Sequence, residues 1–201
     1  MLVKGKAILT SFGLSTKTGY ELLKGELKKD GDLSEKVIFL FYEPYLSLHE
    51  HFLRACIRLG FAEDNILCSE IDKWPDRRVD YIFVGEGNTF ESMRLLRDKG
   101  LFDKVRHECM DKGATYLGAS AGAIIAGNHI RCAKVFDKEI TRLEDWEKTG
   151  LGLLDGLVFP HVACMEELSG IDIEVFLKAE NGKMLMPYLI ANDGIVVIGR
   201  K

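Results

Sequence analysis

Up to Ile125 the chain alternates short, uninterrupted apolar runs with segments of helical spacing, and this rhythm limits its fold more tightly than any other feature. Lys6–Phe12, Lys36–Tyr42, Asn65–Ile71, Asp80–Gly85 and Ala114–Gly118 read as strands, brief apolar stretches bounded by turn-forming residues. Thr16–Lys29 and Leu46–Leu59 read as helices, the first closed by Asp30-Gly31 and the second by Gly60. Glu91–Leu96 and Phe102–Met110 are amphipathic, and Lys112-Gly113 ends the latter. Strand–helix alternation of this kind predicts an α/β fold of three layers, a mostly parallel central sheet flanked by helices. The carboxyl ends of its strands are then the place to look for chemistry. After Ile125 the rhythm loosens: Arg131–Gly150 is charged and loop-rich, and Leu157–Pro160 and Ile195–Ile198 are late strands. With no repeat or linker, residues 1–201 are expected to form one domain.

Charge and composition narrow the partners. A net charge of -4 without a long run of one sign lacks the basic footprint of a nucleic-acid binder. No apolar run is long enough for a membrane span, and the Met-Leu-Val-Lys-Gly-Lys start has no signal-peptide core. Five scattered cysteines suit a reducing compartment, so a cytoplasmic location is expected. His161-Val-Ala-Cys164 falls short of a metal-ligand set. No metal and no cofactor are expected.

Gly118-Ala119-Ser120-Ala121-Gly122 carries the chemistry. A serine between a strand and a helix sits on a sharp turn, where small neighbours keep the backbone from colliding. The helix that follows aims its N-terminal amides at the reaction centre. Serine at neutral pH needs a base. His161 follows a predicted strand in Phe159-Pro160-His161 and is the best of five histidines, ahead of His129. A third, carboxylate member would orient the imidazole. Asp137, Asp193, Glu144 and Asp145 are all available, and spacing does not choose among them. An oxyanion needs two donors: the amide of Ala121 and one from the glycine-rich loop Gly85-Glu86-Gly87-Asn88-Thr89.

Taken together, Val84-Gly-Glu-Gly-Asn-Thr-Phe90, Tyr116-Leu-Gly-Ala-Ser-Ala-Gly-Ala123 and Phe159-Pro-His161 resemble the dipeptidase E and cyanophycinase-like serine peptidases in order and spacing. The resemblance implies a class I glutamine amidotransferase-like (flavodoxin-like) fold and hydrolysis of short peptides through an acyl-enzyme. It implies Ser120 as nucleophile, His161 as base, and Gly87 with Ala121 as the oxyanion hole. It also implies Asp137 as third member, with Asp193 as the alternative, because Asn192-Asp193 falls near a late acidic residue of relatives. The chain departs from the family at Glu86, where a glycine is usual and where a carboxylate would disfavour anionic substrates. Members that cleave aspartyl dipeptides carry a Gly-Glu-Thr-Arg-like stretch after the histidine, whereas Val162–Gly170 here contains no arginine.

The expectation is therefore a serine peptidase acting on short peptides as a monomer or homodimer. Two other readings compete with it: an inactive or regulatory binding protein on the same fold, and a small-molecule esterase or amidase. Ester and dipeptide substrates separate the enzymatic readings, and active-site labelling separates both from the binding protein.

Overall fold

A computed structural model describes residues 5–43, 48–69, 73–162, 173–178, 182 and 184–199. Five parallel strands build the centre of the sheet: β1 (Lys6–Thr10), β2 (Ile38–Phe41), β3 (Ile66–Cys68), β4 (Tyr81–Val84) and β5 (Thr115–Ala119). The order is β3-β2-β4-β5-β1, and a late strand, Ile195–Gly199, adds antiparallel to β1 at the edge. The three-layer, mostly parallel fold read from the alternation is the one observed.

The unbroken apolar runs have a direct cause. Successive residues of a strand point to opposite faces, and here both faces are covered. Ala7, Leu9, Phe39, Phe41, Ile82 and Val84 enter one core, while Ile8, Ile38, Leu40, Tyr81 and Phe83 enter the other. Polar alternation would leave a buried face unsatisfied, so these strands have none.

Helices α1 (Lys17–Leu27), α2 (His49–Leu59), α3 (Thr89–Asp98), α4 (Phe102–His107) and α5 (Ala121–Ile125) fill the outer layers. Thr16 caps α1 by accepting from the Gly19 amide at 3.1 Å, and Gly60 closes α2 in a left-handed conformation. The sequence places the start of α3 two residues late. Asn88 caps it, its side chain accepting from the amides of Phe90 and Glu91. Residues 108–112 leave the regular helix for a wider turn, so the Phe102–Met110 segment is shorter as an α-helix than its amphipathicity suggests. The predicted start of α2 and the end of the Asn65–Ile71 strand fall partly outside the described residues.

In the last third the strands divide between two sheets. Leu157–Pro160 does become a strand, β6 (Gly156–Phe159), but it does not join the main sheet. It pairs in parallel with β7 (Met186–Leu189), part of an apolar stretch from Met184 to Ala191 that Pro187 interrupts, after the short helix α6 (Ile173–Leu177). The edge strand Ile195–Gly199 is β8. As expected, Arg131–Gly150 holds only two short 3-10 turns, Arg131–Val135 and Asp145–Lys148. Among the described residues no helix is long and apolar enough to cross a membrane.

Candidate active site

The carboxyl ends of β1, β4 and β5 meet at one edge, and Ser120, His161, Glu86 and Asp137 are gathered there. Ser120 leaves β5 with φ 49° and ψ -107°, a left-handed conformation that L-residues rarely adopt. Holding it costs about 1–3 kcal/mol, which the surrounding packing must supply. The Ser120 amide donates to the Thr10 carbonyl at 3.1 Å, tying the turn to the end of β1. Gly122 lets α5 lie directly on β4, because a Cβ there would collide with the Val84 carbonyl oxygen. These contacts explain why the turn needs small residues around its serine.

Strain at Ser120 aims its side chain at His161. The Ser120 Oγ and His161 Nε2 are 3.0 Å apart, across forty-one positions of sequence. His161 is itself left-handed, with φ 58°. Its ring packs against Phe12, with centroids 4.8 Å apart, and edge-on to Phe136 at 6.2 Å. Burial pushes the His161 pKa below its ordinary 6.5; a hydrogen bond with the Asn192 side chain and the charges of Asp137 and Glu86 partly offset this. Lowering the pKa keeps the imidazole neutral, the form that can accept a proton.

Ser11 is the group the sequence reading missed. Fully buried at the end of β1, it accepts from the His161 amide at 2.9 Å. Its own hydroxyl is directed at the carbonyls of Ile190 and Ala191, at 3.0 and 2.9 Å. Val162 also donates to Ile190, and Ile190 to Phe159. One buried hydroxyl thus clamps the histidine loop to the segment that carries Asn192. No local signal marks Ser11, since its partners lie 150 and more residues away.

The carboxylate candidates separate. Asp137 Oδ2 accepts from the Thr89 amide at 3.0 Å and from its hydroxyl at 2.6 Å, and it reaches the imidazole through its charge rather than a hydrogen bond. Asp193 is exposed, and its neighbour Asn192 is the one that hydrogen-bonds the ring. Glu144 caps the 3-10 turn at Asp145–Lys148, and Asp145 is ion-paired with Lys148. His129 accepts from the Arg131 amide, and burial pushes its pKa down to about 4, so it belongs to the packing around Arg131.

The oxyanion candidates face the same edge. Ala121 opens α5, so its amide has no carbonyl one turn back. Gly87 has φ 145°, and a Cβ there would run into the Glu43 carboxyl, which is itself held by the Ser92 hydroxyl at 3.0 Å. A glycine is required at 87 on both counts. Next to it, Glu86 crosses to the loop after β1, where its Oε1 accepts from the Gly13 amide at 2.7 Å and the Ser15 hydroxyl at 2.8 Å. Among the described residues no group of three or more His, Cys, Asp or Glu is placed to hold a metal ion.

A hydroxyl on a strained strand-to-helix turn and an imidazole in reach of it form an arrangement suited to acyl transfer. Known proteins point the same way. Peptidase E of Shewanella sp. strain W3-18-1 is 33% identical over 103 residues, 49% of this chain and 43% of that protein. The chain therefore spans less than half the length of that relative. Peptidase E of Nostoc sp. strain PCC 7120 is 24% identical over 197 residues, 92% of this chain and 75% of its own. A solved structure from Listeria monocytogenes EGD-e shares the fold, with a TM-score of 0.66 at 20% identity, over 98% of this chain and 99% of that one. The model of peptidase family S51 matches residues 42–199, which spans the Gly85–Thr89 loop, the serine turn and His161, and the chain belongs to that family.

Proposed function

We propose that the protein is a serine peptidase that hydrolyses short peptides, with Ser120 as nucleophile and His161 as general base. The observation that carries this reading is the 3.0 Å contact between Ser120 Oγ and His161 Nε2 on a strained turn. Membership of family S51 and similarity to proteins called Peptidase E support the substrate class.

In this reading Ser120 Oγ attacks the scissile carbonyl while its proton passes to His161 Nε2. The carbonyl oxygen gains negative charge and takes hydrogen bonds from the amides of Ala121 and Gly87. Collapse breaks the C–N bond, and His161 returns the proton to the departing amine. Water then attacks the acyl-Ser120 ester, again losing its proton to His161, and the acid product leaves. Asn192 orients the imidazole in place of the usual carboxylate, so the charge that stabilises the imidazolium comes from Asp137 and Glu86 without contact.

Hydrolysis of a dipeptide panel by the wild type, Ser120→Ala and His161→Ala tests the proposal. Each variant should lose about 10⁴-fold or more in kcat while folding normally. Full turnover in either variant would remove that residue from the mechanism. Ester turnover without peptide cleavage by the wild type would make the protein an esterase instead.

A further inference from the structure

We propose that the uncompensated charge of Glu86 and Asp137 beside the Ser120–His161 pair makes this a peptidase for cationic and neutral acyl residues and sets it against acidic ones. The inference rests on the proposed peptidase reading and names its substrate class. Glu86 is the specificity-determining residue.

The argument starts from how these two carboxylates are satisfied. Glu86 Oε1 is held by the Gly13 amide and the Ser15 hydroxyl, and Asp137 Oδ2 by the Thr89 amide and hydroxyl. All four donors are neutral. Among the described residues neither carboxylate is in ion-pair contact with a Lys or Arg. Glu86 Oε2 is buried and has no hydrogen-bond partner among the described residues. Two formal negative charges thus stand near the reacting atoms without a formal positive charge in contact.

Position turns that imbalance into selectivity. Glu86 directly precedes Gly87 in the oxyanion loop, and Asp137 is bonded to Thr89 at the other end of the same loop. Glu86 is bonded to the amide of Gly13, next to Phe12, and Asp137 follows Phe136; the rings of Phe12 and Phe136 pack against His161 at 4.8 and 6.2 Å, so both carboxylates stand beside that ring and beside a substrate bound between it and the loop. Because Glu86 Oε2 is shielded, Glu86 acts through its field and not by touching the substrate. At an effective dielectric of about 20–40, one charge about 8 Å away changes the binding of an ion relative to its neutral counterpart by roughly 6- to 30-fold.

Matched dipeptides Lys-Leu, Ala-Leu and Asp-Leu, with wild-type protein and Glu86→Gln, test the inference. The substituted amide keeps an acceptor for Gly13 and Ser15 while removing the charge. The two side chains differ by two charges, so the wild type should prefer Lys-Leu to Asp-Leu by at least about thirtyfold in kcat/KM, and Glu86→Gln should shrink that ratio by about thirtyfold or more. Equal or faster cleavage of Asp-Leu by the wild type, or an unchanged ratio in a folded Glu86→Gln, overturns it. If Glu86→Gln does not fold, Asp137→Asn serves as the second variant, with the same shrinkage expected. A second readout separates this inference from the reading beneath it: inactivation rates with two fluorophosphonates, one with an ammonium tail and one with a carboxylate tail. Faster labelling of Ser120 by the ammonium probe supports the charge selectivity even if no dipeptide is cleaved. Faster or equal labelling by the carboxylate probe refutes the selectivity and leaves the nucleophile standing. No labelling by either refutes the nucleophile and the selectivity with it.

Discussion

The two ends of the parallel sheet handle charge in opposite ways. At the amino end of the strands a cleft is lined by Lys6, Asp30, Lys36, Arg78 and Asp80. Its carboxylates have cations beside them: Lys6 stands 3.6 Å from Asp30 and from Glu26, and Arg78 stands 3.3 Å from Asp80. At the carboxyl end Glu43, Glu86 and Asp137 are held by hydroxyls and amides. Ion pairing at the first end is surface electrostatics, each pair worth little. At the second end charge is left uncompensated and the backbone is strained at Ser120 and His161. Strain and unbalanced charge concentrate where chemistry is done. The contrast makes the carboxyl end sensitive to substitution and the amino end tolerant.

The largest expected effect on stability is at the packing beneath the serine turn. Gly122→Ala would force its Cβ into the Val84 carbonyl and should cost about 3–5 kcal/mol, read as a fall in the denaturation midpoint. Gly199→Ala at the opposite end has 3.8 Å of clearance to Lys6 and should stay within about 0.5 kcal/mol. Similar costs for the two would break the comparison. Next, Ser11→Ala should cost about 2 kcal/mol by leaving the buried His161 amide without its acceptor, and should lower kcat together with stability. A stability loss with unchanged kcat would mean that Ser11 supports the fold and not the position of the imidazole.

The pH dependence follows in size. Burial lowers the His161 pKa, so the neutral base persists below pH 6.5 and the acid limb of kcat/KM should lie below that value. Asn192→Asp adds a carboxylate in contact with the ring and should move the limb to higher pH by about one unit. Asp137→Asn removes a more distant charge and should move it to lower pH by a few tenths. Asp80→Asn, at the other end of the sheet, should leave it in place. A limb that moves with Asp80 but not with Asn192 would contradict the assignment of charges. The smallest effect is Lys6→Met, which breaks two pairs of partly exposed groups and should cost less than about 1 kcal/mol in thermal unfolding.

These two ends also differ in how far the sequence reveals them. Strands β1 to β5 are visible because both faces of each are buried, which forces unbroken apolar runs such as Ile38–Phe41. Ser120 is visible because the turn needs small residues at fixed offsets, and the Gly85–Thr89 loop because it is glycine-rich directly after a strand, with Gly87 singled out in it by the family resemblance alone. The imidazole corner is not local in this sense. His161, Ser11 and Asn192 come from the ends of three distant segments, and the hydroxyl that joins them looks like any serine after a strand. Strand β7 is hidden for a different reason. Pro187 interrupts the apolar stretch Met184–Ala191, and a proline inside such a run argues against a strand unless it lies at an edge. Several carboxylates compete for the third position in the sequence, and contact with the ring goes to an amide instead.

The most direct measurement is labelling with an uncharged alkyl fluorophosphonate, with the adduct located by mass spectrometry in the wild type and in His161→Ala. A working Ser120–His161 pair predicts a single adduct on Ser120 that falls to background in the variant. An adduct on another residue, or labelling of Ser120 that is undiminished without His161, would contradict the pairing on which the proposed function depends.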